Sequence, residues 1–544
     1  MSHLSAFSRV IAVPEIISII CGFARTSDCA RLSRTCKIIF GVSTAFVWKR
    51  VDGRSLLSLI GARQEIRTNH EDTRFKTLVF HIPLFPPIDF SRFDCYAQYV
   101  RVLEVYGTGP APQYYQVEGW DQLTLRVRRG PLLPNLRSIL LDSPIHKAAR
   151  DTFIWIKTFI TPSLVEVRAI TGDNVAPVST SPLVADVILD TVAEHCPRLL
   201  KLTLFPSRPS SHYEPSGPSD RLLGFLWRRP YHQSLSNLSN LTELTCNVTM
   251  LQQGTLSIVS LLPTLRRFSI FNIGDDEVLD LSGLPIGSFP ALQELHLVAV
   301  DGVSPVSILG ISPLMSTLTH LELECGVWME DFDDADISEW ITFNVLSQLK
   351  NCPSLLSLAV TIRTPGAFEP YYVRLAERTN LFSDLALEAV ALIGVRISDW
   401  EPNGTRFIKA AWSNVTSLNL PDQIGTPDVL MDIAHLSRLQ YLKICLELER
   451  FRVYTEKLSI CPLHTLESSA YGEIATLPEE LEDVANFLLT LFPSLREVIW
   501  PELGADGLTL ADHKKFVGFL NRYIKVKKEV AELRTKLRVA GKRE

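Results

Sequence analysis

Pro290-Ala291-Leu292-Gln293-Glu294-Leu295-His296-Leu297 is a phrase that the chain repeats with variations. It returns as Leu318-Thr319-His320-Leu321-Glu322-Leu323 and as Leu439-Gln440-Tyr441-Leu442-Lys443-Ile444. Written apolar-x-x-apolar-x-apolar, its copies open at Phe75, Val100, Leu136, Leu164, Leu199, Leu241, Leu265, Leu292, Leu318, Leu355, Val415, Leu439, Leu463 and Leu495. Gaps of 24 to 28 residues recur between successive copies, and several copies follow a proline by one or two residues. The fourth and sixth positions alternate as a half-buried strand requires, one face in and one face out. Short matches arise by chance in any apolar chain, but fourteen in order do not.

A repeat of this length and pattern is that of leucine-rich repeats, in which strand and outer segment stack rung upon rung. The expected fold is α/β: an irregular leucine-rich-repeat solenoid over residues 73–505, parallel strands inside and helices outside, preceded by a small three-helix module. Val184 to Cys196, Ile337 to Cys352, Thr426 to Leu436 and Pro478 to Phe492 are amphipathic stretches long enough for outer helices. Between Leu241 and Leu265 only a turn or two fits, at Ser257 to Leu262. The ninth repeat position, where Asn or Cys normally bonds the backbone, holds Thr249, Val300, Gly326 or Glu447, so the array should be irregular. The 60-residue gap after Leu355 should hide one degenerate repeat, expected at Phe382-x-x-Leu385-x-Leu387. Pro206 to Pro218 and Pro365 to Pro370 read as loops.

The chain has 544 residues, too many for one globular core unless a solenoid distributes it. Its net charge, 54 − 60 = −6, argues against wholesale nucleic-acid binding. No apolar run reaches the roughly 18 residues a membrane span needs, and Val10 to Phe23 contains Pro14 and Glu15, so it does not read as a signal peptide. The ten cysteines form no C-x-x-C pair and are expected as reduced thiols; Cys196, Cys352 and Cys461 precede prolines just ahead of a repeat, as small apolar residues closing a helix. The five N-x-S/T sequons, at Asn237, Asn240, Asn247, Asn403 and Asn414, then count as chance matches, and the expected location is cytoplasmic and/or nuclear.

Residues 11–52 differ in character from the rest of the chain. Pro14 suits a first helical position, with Ile16, Ile17 and Ile20 forming an apolar stripe behind it. Ser27 or Asp28 can cap a second helix carrying Cys29, Leu32, Cys36 and Ile39, and Ser43 a third carrying Phe46, Val47 and Trp48. So small a module buries little area, which suggests a surface completed by a partner. Residues 53–72 read as a linker or helix.

Val13-Pro14-Glu15-Ile16-Ile17-x-x-Ile20, then Ala30-Arg31-Leu32-Ser33-Arg34-Thr35-Cys36-Lys37, then Val47-Trp48-Lys49-Arg50 resembles an F-box, and with the repeats the chain resembles the large fungal families of F-box–leucine-rich-repeat proteins. It departs in Val13 for leucine, Thr35 for valine and a shortened opening between Pro14 and Glu15. The resemblance implies that Val13, Pro14, Ile16, Ile17, Ile20, Leu32 and Trp48 bind a Skp1-like adaptor and, through it, a cullin-based ubiquitin ligase. The other reading of these residues is a helical cap over the first repeat of a scaffold with no ligase role.

No chemistry of the chain's own emerges. Asp331, Asp333, Asp334 and Asp336 lack EF-hand spacing, and His296 and His320, expected side by side on adjacent strands, have no third ligand, so no metal or other cofactor is expected. Phosphate-loop, dinucleotide and nucleophile-elbow motifs are absent, which points to a non-catalytic protein. The target surface is expected on the strand face opposite the leucines, at Glu294, His296, His320, Glu322 and Glu324, where neighbouring carboxylates would receive a basic segment and the histidines would add pH sensitivity. Residues 506–544 read as a basic C-terminal helix: Ala511 to Glu544 hold 11 Lys/Arg against 4 Asp/Glu. Phe516, Phe519, Tyr523, Val526, Val530, Leu533, Leu537 and Ala540 there keep a heptad rhythm, and the first half of the helix is expected to dock on the last repeats.

Overall fold

The structure, a computed structural model, describes residues 13–68, 76–85, 88–106, 115–141, 149–168, 180, 182–206, 232–252, 254–271, 284–285, 287–298, 308–326, 346–363, 370–373, 382, 384–398, 400, 404–447, 461–469, 478–499 and 507–540. The chain divides into two compact units, residues 1–271 with 280–291 and residues 272–279 with 292–544.

The first unit opens with three helices, α1 (Pro14–Phe23), α2 (Thr26–Leu32) and α3 (Lys37–Val47). Pro14 takes the first turn of α1, where its missing N–H costs nothing. The helix boundaries differ from those expected at Ser27 or Asp28 and at Ser43. The turn 33–35 ends α2 early, with Ser33 Oγ donating to Ala30 O and Thr35 Oγ1 to Leu32 O. Ser43 then lies inside α3, its hydroxyl donating to Ile39 O.

Strands β1 (Arg50–Asp52), β2 (Arg63–Thr68), β3 (Lys76–His81), β4 (Val102–Glu104), β5 (Tyr115–Glu118), β6 (Ser138–Leu140), β7 (Glu166–Arg168), β8 (Lys201–Leu204), β9 (Glu243–Asn247) and β10 (Arg267–Phe271) follow. Seven of them form parallel neighbours in the order β1-β4-β6-β7-β8-β9-β10. This sheet opens at Arg50, ahead of the repeat read at Phe75. Phe75 itself lies outside the described residues, and β3, which comes directly after it, pairs antiparallel with β2 and parallel with β5 in a separate three-stranded sheet. Tyr115 on β5 donates to Val105 O and packs edge-on against Trp155, which is fully buried and stacks on Phe159. Gly53, directly after β1, leaves no room for a Cβ against Tyr115 and Trp155.

The second unit holds β11 (Glu294–Val298), β12 (His320–Gly326), β13 (Ser357–Arg363), β14 (Tyr371–Val373), β15 (Ala389–Ile393), β16 (Val395–Ile397), β17 (Ser417–Gly425), β18 (Tyr441–Leu446), β19 (Thr465–Ser468) and β20 (Glu497–Ile499). All but β14 and β16 run as parallel neighbours in chain order, and those two make a small parallel pair of their own. The degenerate repeat opens at Leu387, two residues before β15, rather than at Phe382; Leu387, Val390 and Leu392 are its buried positions. Of the four outer segments expected, three are helices, at Pro182–His195, Pro427–Ile433 and Pro478–Leu491. Residues 337–345 of the fourth lie outside the described residues, and its end, Leu346–Asn351, is a 3-10 helix. Most of the loops expected at Pro365 to Pro370 and at Pro206 to Pro218, and the acidic cluster at 331–336, also lie outside them.

Register and burial obey the repeat. Every repeat-opening residue from Val100 to Leu495 is at most 1% exposed. In both units the fourth and sixth positions among the described residues point into the core, as Leu295 and Leu297 do. The asparagine ladder missing at the ninth position has a substitute at the second. There the hydroxyls of Thr242, Thr319 and Thr416 donate to the carbonyls of Leu200, Gln293 and Glu388, the same position one rung earlier. Cys196 and Cys461 likewise turn their thiols back to Thr161 O and Leu439 O of the preceding rung. Burial pushes the Cys196 thiol up to about 12, too high to ionise, and none of the ten cysteines is in a disulfide.

Candidate interaction surfaces

Helix α1 has two apolar faces. Ile17 and Cys21 turn inward and join Cys29 and Ile39 in a small core, against which Leu32, Phe46 and Val47 also pack. Burial and the nearby Cys29 raise the Cys21 thiol to about 11. The second face is open to solvent, with Ile16 37%, Ile19 61%, Ile20 45% and Phe23 91% exposed. These four recur at i, i+3, i+4 and i+7, the spacing of one helical stripe. Only Glu15, Ser18 and Gly22 interrupt a helix that is otherwise apolar almost all round.

The seven residues read as adaptor contacts therefore do not share one surface. Val13, Pro14, Ile16 and Ile20 are exposed, and Leu32 is half-buried beside the small core. Ile17 belongs to that core, at 5% exposed. Trp48 stacks on Tyr96 with ring centroids 4.4 Å apart and planes 16° from parallel. Ile19 and Phe23 complete the open stripe and lie outside the seven. Their signal in the sequence is the i, i+3, i+4, i+7 series itself, which an all-apolar helix repeats on more than one face.

The polar row on β11 and β12 is assembled as the repeat demands, with its neighbours shifted. Glu294 stands opposite His320 and His296 opposite Glu322, so each histidine faces a glutamate rather than the other histidine. His296 Nε2 lies 3.6 Å from Glu322 Oε1. Beyond them Glu322 faces Ala359 and Glu324 faces Thr361 on β13, neither of which carries a counter-charge. In the first unit the equivalent row is compensated within itself, Glu243 lying 2.6 Å from Lys201 and 3.9 Å from Arg267.

The C-terminal helix, Gly507–Ala540, docks on the last rungs through its middle, residues 520–528; the side chains of 507–516, in the half expected to dock, lie outside the described ones. Leu520 and Ile524 are each 1% exposed. Asn521 treats strand β20 as a further rung: its Oδ1 accepts from Val498 N at 2.8 Å and its Nδ2 donates to Val498 O at 2.9 Å. That pairing satisfies an edge that would otherwise template another strand. Tyr523 bonds Glu482 and Asn486 of the helix Pro478–Leu491, and Lys528 Nζ donates to Ser494 O. Burial and the neighbouring Arg496 lower the Lys528 ammonium below its ordinary value.

Among the described residues no group of three His, Cys, Asp or Glu is placed to hold a metal ion, and no helix is long and apolar enough to cross a membrane. Parallel register, buried repeat leucines and rung-to-rung hydroxyl bonds make the fold that of a leucine-rich-repeat protein. No family model matches the sequence, and no curated protein matches it. Among solved structures the chain is similar to an internalin (inlF) from Listeria monocytogenes, at 12% identity over 77% of this chain and 87% of that one with a TM-score of 0.29. It is also similar to TLR13 in its complex with ssRNA13, at 13% identity over 75% of this chain with a TM-score of 0.32, and it spans 61% of that chain. Both scores are too low to place this chain in a family.

Proposed function

We propose that this chain is a non-catalytic receptor of a Skp1–cullin–F-box ubiquitin ligase: its N-terminal helices hold a Skp1-like adaptor and its repeat face holds a protein target. The observation that carries the adaptor half is the open stripe Ile16, Ile19, Ile20 and Phe23 on a small module whose core, among the described residues, centres on four buried side chains. Large apolar side chains aligned on one exposed helix face mark a protein interaction site. For the target, Glu294, Glu322 and Glu324 share the strand face opposite the buried leucines on adjacent parallel strands, where their carboxylates act as one potential that suits a basic segment.

The test uses the exposed anchors rather than Ile17 or Trp48, which hold the fold. The full chain carrying Ile20→Asp with Phe23→Asp should lose binding to purified Skp1 in calorimetry while its unfolding midpoint stays in place. Wild-type chain that ignores Skp1, or a double variant that binds it undiminished, points instead to a repeat scaffold without a ligase connection. Independently, Glu294→Lys with Glu322→Lys and Glu324→Lys should weaken capture of a basic target, less so as salt rises, and leave Skp1 binding alone.

A further inference from the structure

The C-terminal helix presents a second apolar seam, one that stays exposed among the described residues. Its docked face is Leu520, Ile524 and Lys528, four residues apart. On the side turned away from the rungs Phe519, Val526, Val530 and Leu533 are 40%, 56%, 39% and 57% exposed. They occupy d, d, a and d of one heptad register, and the a position between the first two, Tyr523, is bonded to the helix Pro478–Leu491. Two apolar positions per heptad make a narrow seam, suited to one partner helix; a helix lying in a membrane surface needs a broader apolar sector.

The residues flanking the seam say which helix it takes. In that heptad the flanking e and g positions, which set partner choice in coiled coils, are the docked Leu520 and then Arg522, Lys527, Glu529, Arg534 and Lys536, these last five all exposed. Four are basic and one is acidic. A second copy in parallel register would set Arg522 against Lys527, which repel, and Glu529 against Arg534, which attract, so self-pairing gains no net charge complementarity. An acidic helix pairs with all four cations. We infer that the seam Phe519–Val526–Val530–Leu533 is a docking site for an acidic amphipathic helix of another protein, its apolar side chains filling the seam and its carboxylates meeting Arg522, Lys527, Arg534 and Lys536. The site is independent of the adaptor and target surfaces proposed above, since it lies on neither α1 nor the strand face.

The probe is a labelled peptide of about four heptads with leucine at a and d and glutamate at e and g, alongside its lysine counterpart. With the full chain at low salt, the glutamate peptide should bind saturably in fluorescence anisotropy and the lysine peptide should not. Val530→Asp with Leu533→Asp should weaken binding by about tenfold or more. Both positions are exposed, so the unfolding midpoint should hold. Lys527→Glu with Arg534→Glu should pass the preference to the lysine peptide, a reversal that a misfolded variant cannot produce. Equal binding of both peptides, or binding untouched by the double aspartate variant, overturns the proposal. So does a chain that sediments as a dimer unless Val530 and Leu533 are changed, or one that co-sediments with phosphatidylserine vesicles through the same residues.

Discussion

A repeat strand and helix α1 pose the same question of which apolar residue is inside, and they answer it differently. On β11 and β12 side chains alternate with period two, and a parallel neighbour lies on each side of β12. Polar Glu294, His296, His320 and Glu322 occupy the other face, so the leucines have one place to go. On α1 isoleucines fall on two adjacent faces and no polar residue separates them. What decides there is the position of α2 and α3, which cover Ile17 and Cys21 and leave Ile16 and Ile20 open. A repeat disciplines its register through its neighbours, whereas an isolated helical module draws its register from three-dimensional packing alone.

Breaking the strand side of this comparison gives the largest effect. Leu295→Ala, at a position 1% exposed, should cost about 2–5 kcal/mol through lost transfer energy and a cavity. A shift in urea midpoint worth less than about 1 kcal/mol would show that the rung can collapse around the hole. On the helix side Ile17→Ala should cost about 2 kcal/mol, the low end for such a truncation, because its core is small and can partly close. Ile20→Ala, on the open face of the same helix, should stay within about 0.5 kcal/mol. If the two alanine variants prove equally destabilising in parallel melts, the division of α1 into an inner and an outer face is wrong.

The edge of the sheet offers an intermediate test. Asn521→Ala removes both bonds to Val498 and leaves an edge amide and carbonyl half-covered, at a cost of about 1–2 kcal/mol. Hydrogen exchange should speed up at Val498 and at the docked stretch 520–528 of the C-terminal helix together. Exchange that quickens in the helix alone would mean that water replaces the asparagine at no cost.

The smallest effect is electrostatic. Glu467 is partly buried, which raises its carboxyl pKa, but hydrogen bonds from Lys443 and Tyr441 outweigh burial and leave it below the ordinary 4.5. A carboxylate depressed in the folded state adds stability above its unfolded pKa and loses it as pH falls through the folded value. The stability gap between wild type and Glu467→Gln should therefore be full near neutral pH and shrink below about pH 4.5. A gap that widens on acidification would reverse the sign of this assignment.

Much of the molecule is legible in one dimension. The repeat-opening residues, the inward leucines and the outward row at Glu294 to Glu324 all follow from a period-two pattern recurring at a repeat period, because a sheet converts spacing directly into side. The degenerate repeat starts at Leu387 rather than Phe382, because Phe382, Leu385 and Leu387 are all buried and hydrophobicity alone does not separate approach from strand. Likewise His296 and His320 are legible as near neighbours, while the residues that stand opposite them, Glu322 and Glu294, depend on the pairing register of two strands 26 residues apart. The C-terminal heptad is legible too, but its role is inverted. Docking uses Leu520 and Ile524, which are not heptad positions, together with Tyr523, and leaves Phe519, Val526, Val530 and Leu533 of the heptad open.

By itself, then, the sequence determined the parallel repeat, its buried face and the absence of any metal or nucleophile motif, since each is a matter of local spacing and residue type. Only the tertiary structure decided which face of α1 is exposed, that Trp48 stacks on Tyr96, which glutamate stands opposite each histidine, and which side of the C-terminal helix stays exposed. Each of those depends on what lies across from a residue rather than beside it in the chain, and a helix that is apolar on two faces carries no local record of which one will be covered.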